Sequence, residues 1–127
     1  MPRKQSPTLT EAELRIMNVM WQKGPSTVQQ VLNGLAEEPA LAYNTVLTTV
    51  RILERKGYLG HVKDGRAHVY EALIDREDAR RSEIRYLVSR FFRNSHKALL
   101  LNLLKDEEID DEEVRRLREM VERSPDR

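Results

Sequence analysis

A chain of 127 residues with 39% hydrophobic and 34% charged side chains has room for one small domain with an appendage, and for a modest core. It has no cysteine, which excludes disulfides, thiolate metal sites and thiol catalysis. No apolar run reaches bilayer length and no signal pattern opens the chain, so a cytoplasmic location without membrane insertion is expected. The net charge of +1 is unevenly spread: residues 1–70 hold nine Lys/Arg against six Asp/Glu, residues 76–105 eight against three, and residues 106–127 five against ten. Local fields steer a polyanion, so a basic body with an acidic end remains compatible with one.

After a polar lead over residues 1–7, with Arg3 and Lys4, Thr10-Glu11-Ala12-Glu13 reads as a capping box. A helix to about Gln22 follows, burying Leu14, Met17 and Trp21 with Ile16 and Met20 alongside, and Gly24-Pro25 stops it. Ser26 to Gln29 repeats the box with Ser26 as cap. That second helix is expected to reach about Glu37 and to bury Val28, Val31, Leu32 and Leu35. Glu38-Pro39 breaks it, since proline disfavours helical geometry in the residue before it.

The stretch Ala42–Gly57 reads as a longer third helix. Val46, Val50 and Leu53 share one face with Thr49 beside them, and Gly57 supplies the left-handed residue that ends such a helix. The opposite face presents Asn44, Thr48, Arg51 and Arg55 without an acid among them. Asn suits adenine edges, Thr a thymine methyl or a phosphate, and Arg a guanine or a phosphate. Two short capped helices and a longer cationic one fit a helix-turn-helix.

Two runs flanking Asp64-Gly65, residues 58–63 and 66–72, then read as a hairpin whose two-residue turn is Asp64-Gly65. In that register Lys63 faces Arg66, Val62 faces Ala67, His61 faces His68 and Leu59 faces Tyr70. A hairpin directly after the reading helix is a wing, and the two cations at its tip suit backbone phosphates. The facing histidines raise a zinc reading, but no cysteine or carboxylate cluster completes a site, so no metal is assigned. They are better read as polar ladder residues near DNA.

From Asp75 the composition changes. A helix from Asp75 to about Arg93 carries Ile84, Leu87, Val88, Phe91 and Phe92 on one face. Ser95 or His96 opens a helix that is apolar almost all round, through Leu100, Leu101, Leu103 and Leu104. Asp110 to Glu113 starts a third, which is expected to bury Val114, Leu117, Met120 and Val121. Roughly fifty residues cannot enclose that much Leu and Phe alone. A second copy of the chain is the simplest cover, with Ile84, Leu87, Val88, Phe91, Leu100, Leu104, Leu117 and Val121 as its contacts.

The expected architecture is mainly α with a small β-hairpin wing: a winged helix-turn-helix DNA-binding domain over residues 1–74 and a helical dimerisation domain over 75–127. Nothing pairs a nucleophile with a base or cradles a phosphate with glycines, so neither an enzyme nor a cofactor is expected. The competing class is a winged-helix interaction module that never reads DNA, and the acid-free stripe argues against it.

The runs LTEAELRIMNVMW, STVQQVLNGL, LAYNTVLTTVRILERKGYL, DGRAHVYEAL and LLLNLLKDEEIDDEEVRRLREMV together resemble the penicillinase-repressor family of BlaI, MecI and CopY type. The resemblance implies a homodimeric repressor on a palindromic operator of double-stranded DNA. It would place Asn44, Thr45, Thr48 and Arg51 at base edges or adjacent phosphates, with Arg66 and His68 in the wing. It also implies a link to a membrane sensor-protease pathway acting near Asn102-Leu103, where Leu103 stands in place of the Phe of cleaved relatives. The cysteine-rich tail of copper-responsive members is missing.

Overall fold

The computed structural model describes residues 8–37, 39–105 and 110–123; the lead 1–7, Glu38 of the expected break, residues 106–109 and residues 124–127 lie outside them. In chain order the elements are α1 (Glu11–Lys23), α2 (Val28–Gly34), α3 (Tyr43–Arg55), β1 (Leu59–Asp64), β2 (Ala67–Ala72), α4 (Arg76–Phe91), α5 (His96–Leu103) and α6 (Asp111–Arg123). They divide into two compact units, Met1–Ser82 and Glu83–Arg127, so the division falls inside α4. The start of α4 belongs to the first unit because Ala79 is buried in its core and the Trp21 indole donates to the Ile74 carbonyl at 3.0 Å.

The first unit is a three-helix core closed by the hairpin. Ile16, Met17 and Met20 of α1, Val28 and Val31 of α2, and Val46, Val50 and Leu53 of α3 meet Tyr58, Leu59 and Tyr70 in one cluster. The expected capping box of α1 is present: the Thr10 hydroxyl accepts from the Glu13 amide at 3.2 Å, and the Glu13 carboxylate accepts from the Thr10 amide at 2.8 Å. Leu14 is exposed, contrary to expectation, because the buried stripe runs through Glu13, Ile16, Met17 and Met20 and leaves Leu14 at its rim.

The second helix starts one residue later than expected. Thr27 is the cap and Gln30 its reciprocal partner, and the helix ends at Gly34, well before Glu37. Ser26 is instead part of the sheet. Its backbone exchanges two hydrogen bonds with Tyr70, at 2.9 and 2.8 Å, as a one-residue third strand beside β2. Its hydroxyl turns back to the Gly24 carbonyl at 2.9 Å.

The third helix ends as a Schellman motif. Gly57, at φ +88°, bonds back to the Glu54 carbonyl, and the Tyr58 amide bonds to Leu53 at 2.9 Å. Tyr58 and Leu53 are both buried, so the turn out of the helix is pinned by packing as well as by its amides. Immediately before Gly57, the Lys56 ammonium lies 2.8 Å from the Glu13 carboxylate and 3.0 Å from the Thr8 carbonyl. The side chains of this pair are only 7% and 5% exposed.

In the second unit, the Ser95 hydroxyl caps α5 by accepting from the Ala98 amide at 3.0 Å, and α5 packs on α6. The turn ahead of it places two successive non-glycine residues, Arg93 and Asn94, at positive φ. No residue of α5 itself is fully buried, although Leu104 just beyond it is. Met120 is exposed rather than buried, since one chain supplies too few helices here to cover every apolar face of α6.

The ion pair between Glu13 and Lys56 yields a stability prediction. Lys56→Met leaves a buried carboxylate without its cation and lowers the unfolding free energy by about 3–5 kcal/mol. Glu13→Gln with Lys56→Met recovers much of that loss. Denaturant melts of the three proteins measure both; a double variant no more stable than Lys56→Met would remove the uncompensated charge as the cause.

Candidate nucleic-acid interface

The third helix has a buried face and a free one. Val46, Val50 and Leu53 fill the core, and the buried Thr49 hydroxyl is satisfied by the Thr45 carbonyl at 2.7 Å. Asn44, Thr45, Thr48, Arg51 and Arg55 are all exposed, and none of their side chains forms a hydrogen bond or ion pair with another described residue. Two charged residues of this stretch are engaged elsewhere. Glu54 pairs with His61 of β1, and Lys56 with Glu13. Ala42 offers no side-chain cap, so the first free amides of α3 are not closed off as those of α1 and α2 are.

The wing differs in register from the sequence expectation. Lys63 faces His68, Asp64 faces Ala67, Val62 faces Val69, His61 faces Tyr70 and Leu59 faces Ala72. The two-residue turn is therefore Gly65-Arg66, not Asp64-Gly65. Gly65 has φ +64° and Arg66 does not have positive φ, which is the II′ pattern with glycine first. The opposition of Lys63 and Arg66 disappears, because Arg66 occupies the turn. The slip leaves every side chain on its expected face, since the partner of each residue moves by two.

That parity still brings the histidines together. His61 and His68 are diagonal neighbours whose rings stack at 4.7 Å between centroids, with Tyr70 next to both. Among the described residues no group of three His, Asp or Glu side chains is placed to hold a metal. The His61–Glu54 pair instead ties β1 to α3.

Between α3 and the wing lies an open groove of roughly 460 Å³. Tyr43, Leu47 and Arg51 form its α3 wall at steps of four. Arg66 and His68 come from the wing, and Thr27 and Gln29 from the start of α2. Arg51, Arg66 and His68, expected from the sequence to touch DNA, thus line one surface free of acidic side chains. Lys63 is exposed on β1, and Arg55 lies one turn beyond Arg51 on α3. Sequence reasoning passed over Tyr43 and the Ser26 strand. An aromatic ring at the start of the polar stripe was the available signal for the first; for the second there was none, because the pairing is long-range.

At the back of the groove Tyr70 is buried, and burial raises its phenol above the ordinary value of 10.0, helped by the nearby Glu54 carboxylate and Tyr43 and opposed by Arg51.

The remaining predicted residues lie in the second unit. Ile84, Leu87, Phe91 and Leu100 are exposed, Phe91 by 66%. Val88 and Leu104 are buried within the chain, and Leu117 and Val121 are partly covered. Asn102 and Leu103 are exposed in the last turn of α5.

A three-helix core whose third helix turns a cationic, unpaired face outward beside a hairpin defines a winged helix-turn-helix protein. The comparisons with known proteins agree. The chain belongs to the penicillinase repressor family, whose sequence model matches residues 9–123. It is 28% identical over 124 residues to the penicillinase repressor of Bacillus licheniformis, covering 98% of this chain and 97% of that one. It is 20% identical over 113 residues to the methicillin resistance regulatory protein MecI of Staphylococcus aureus (strain N315), covering 89% and 92%. The solution structure of the DNA binding domain of the repressor BlaI is similar with a TM-score of 0.51 at 33% identity, over 60% of this chain and 93% of that one.

Tyr70 provides a test of the groove's interior. The sign follows from a raised folded value: the protonated phenol is the form the fold favours. Its stabilisation is complete below the unfolded value of about 10 and is lost as pH rises through the higher folded value. In an alkaline absorbance titration the difference between the unmodified protein and Tyr70→Phe should be one phenol that ionises late. A difference that ionises at the ordinary value would remove burial as an influence on Tyr70.

Proposed function

We propose that this protein represses transcription as a homodimer seated on a palindromic operator in the cytoplasm. The observation that carries the reading is the row Asn44, Thr48, Arg51 and Arg55, unpaired among the described residues, on a helix whose Glu54 is paired with His61 and whose following Lys56 is paired with Glu13. A reading helix set in the major groove uses such a row for base edges and adjacent phosphates, with Thr45 beside it. Lys63, Arg66 and His68 on the wing contact backbone. No catalytic constellation enters this reading, and no cofactor is needed.

Dimerisation falls to the second unit. Ile84, Leu87, Phe91 and Leu100 leave more apolar surface uncovered than a stable small unit tolerates, and a self-complementary partner covers it. Val88 and Leu104 are buried in the same unit, and the partly covered Leu117 and Val121 of α6 join the proposed contact surface. Relief of repression by a sensor-protease pathway is consistent with the exposed Asn102-Leu103 bond. Cutting there separates α6 from α4 in the chain and weakens pairing.

Three measurements test the reading. On a duplex that the protein enriches from a random pool, Arg51→Ala should lose about 1–3 kcal/mol of binding and relax the preferred sequence. A loss of the same size on scrambled duplex would reduce Arg51 to a phosphate contact. The binding constant of the unmodified protein should fall steeply with salt, by a logarithmic slope of about −0.9 for each phosphate neutralised. Independently, Phe91→Asp should convert a sedimenting dimer into single subunits without altering the melting of the first unit. A dimer unaffected by that charge would move the interface elsewhere.

A further inference from the structure

Tyr43 is the first residue of α3, and the residue is 44% exposed. It stands one turn ahead of Leu47 and two ahead of Arg51, on the wall of the groove that Arg66 and His68 face from the wing. Leu47 is partly buried against the core, so the outer apolar surface of this stripe is mainly the tyrosine ring. Helix-turn-helix readers insert the first residues of the recognition helix at the base edges. A large ring kept in water at that point, among cations and away from acids, meets an apolar feature when a duplex is seated. In the major groove the base-specific apolar feature is the C5-methyl of thymine.

We propose that Tyr43 is a specificity-determining residue that packs its ring on a thymine methyl in each half-site. The inference rests on the DNA-reading function proposed above and deepens it. Asn44 and Arg51 of the polar row read hydrogen-bonding edges, whereas Tyr43 reads a methyl group, which hydrogen bonds cannot distinguish. The hydroxyl is not the operative group: it lies at the end of a ring whose face supplies the contact. Position also supports the division, because Arg51 and Arg55 lie two and three turns further along the helix.

The test uses the full chain and the duplex it enriches from a random pool, with each thymine replaced in turn by deoxyuridine. That exchange deletes one methyl and leaves every hydrogen-bonding group in place. At one dyad-related pair of positions it should weaken the unmodified protein roughly fourfold per half-site, the value of one buried methyl. Tyr43→Ala should bind the thymine duplex less tightly by at least that factor and be indifferent to deoxyuridine at those positions. Tyr43→Phe should behave like the unmodified protein. Matching circular dichroism and melting temperatures would show that the variants are folded. The assignment fails if Tyr43→Ala keeps full sensitivity to every deoxyuridine, or if Tyr43→Phe loses as much as Tyr43→Ala, which would make the hydroxyl the contact. A chain that enriches no sequence would overturn the repressor reading itself, whereas an enriched duplex bound equally by Tyr43→Ala overturns this inference alone.

Discussion

The buried pair between Glu13 and Lys56 sets the direction of the reading helix. One carboxylate closes the capping box of α1 and also receives the ammonium that stands at the C-terminal end of α3. Lys56 adds a bond to the Thr8 carbonyl, so the start of one helix and the end of another are held at a single point. A buried ion pair is a weak source of net stability, because desolvating both charges offsets their attraction. Its value here is geometric. Apolar packing of Val46, Val50 and Leu53 would tolerate some rotation of α3 about its axis, whereas a bonded charge at its end tolerates little. The rotation of α3 decides which side chains face outward.

The other end of the site is fixed by backbone. Ser26 pairs with Tyr70, so the wing hangs from the turn between α1 and α2 as well as from its own hairpin. His61 then links β1 to Glu54 on α3. Wing and reading helix are therefore cross-tied within one unit, and the groove between them has Tyr70 as its floor rather than a mobile loop. Cations at a wing tip can follow a phosphate backbone only if their spacing from the reading helix is constant, and these ties supply that constancy.

Much of this was legible in the chain. The box at Thr10, the two faces of α3 and the glycine that ends it depend on residues within one or two turns, which is the range over which periodicity and capping operate. Two local errors have a common form, a motif that fits in two registers. Ser26 and Thr27 each have a glutamine three residues on, at Gln29 and Gln30, so both spell a capping box. Pairing of Ser26 with Tyr70 takes it into the sheet and leaves the cap to Thr27. Likewise Asp64-Gly65 and Gly65-Arg66 both suit a two-residue turn, and pairing along the strands selects the second. The contact of Glu13 with Lys56 spans 43 residues and has no local signature at all. Leu14 and Met120 are exposed against expectation because a stripe shows which residues share a face, while what covers that face depends on the neighbouring elements.

The placement of polar groups on α3 explains why a chain with a net charge of only +1 can act on a polyanion. Glu54, the acid of this helix, is held by His61 and so kept off the outward row. Within the first unit, Arg51, Arg55, Lys63 and Arg66 supply a local positive field, and it is the local field rather than the total that steers a polyanion. Because the side chains of the row hold no bonds to other described residues, engaging a duplex on the proposed reading mainly exchanges their bonds to water. The backbone that carries them is already ordered by the core, and only their rotamers remain to be fixed on binding. On the proposed reading, affinity depends on phosphates and on salt, and specificity on the few groups at the leading end of α3.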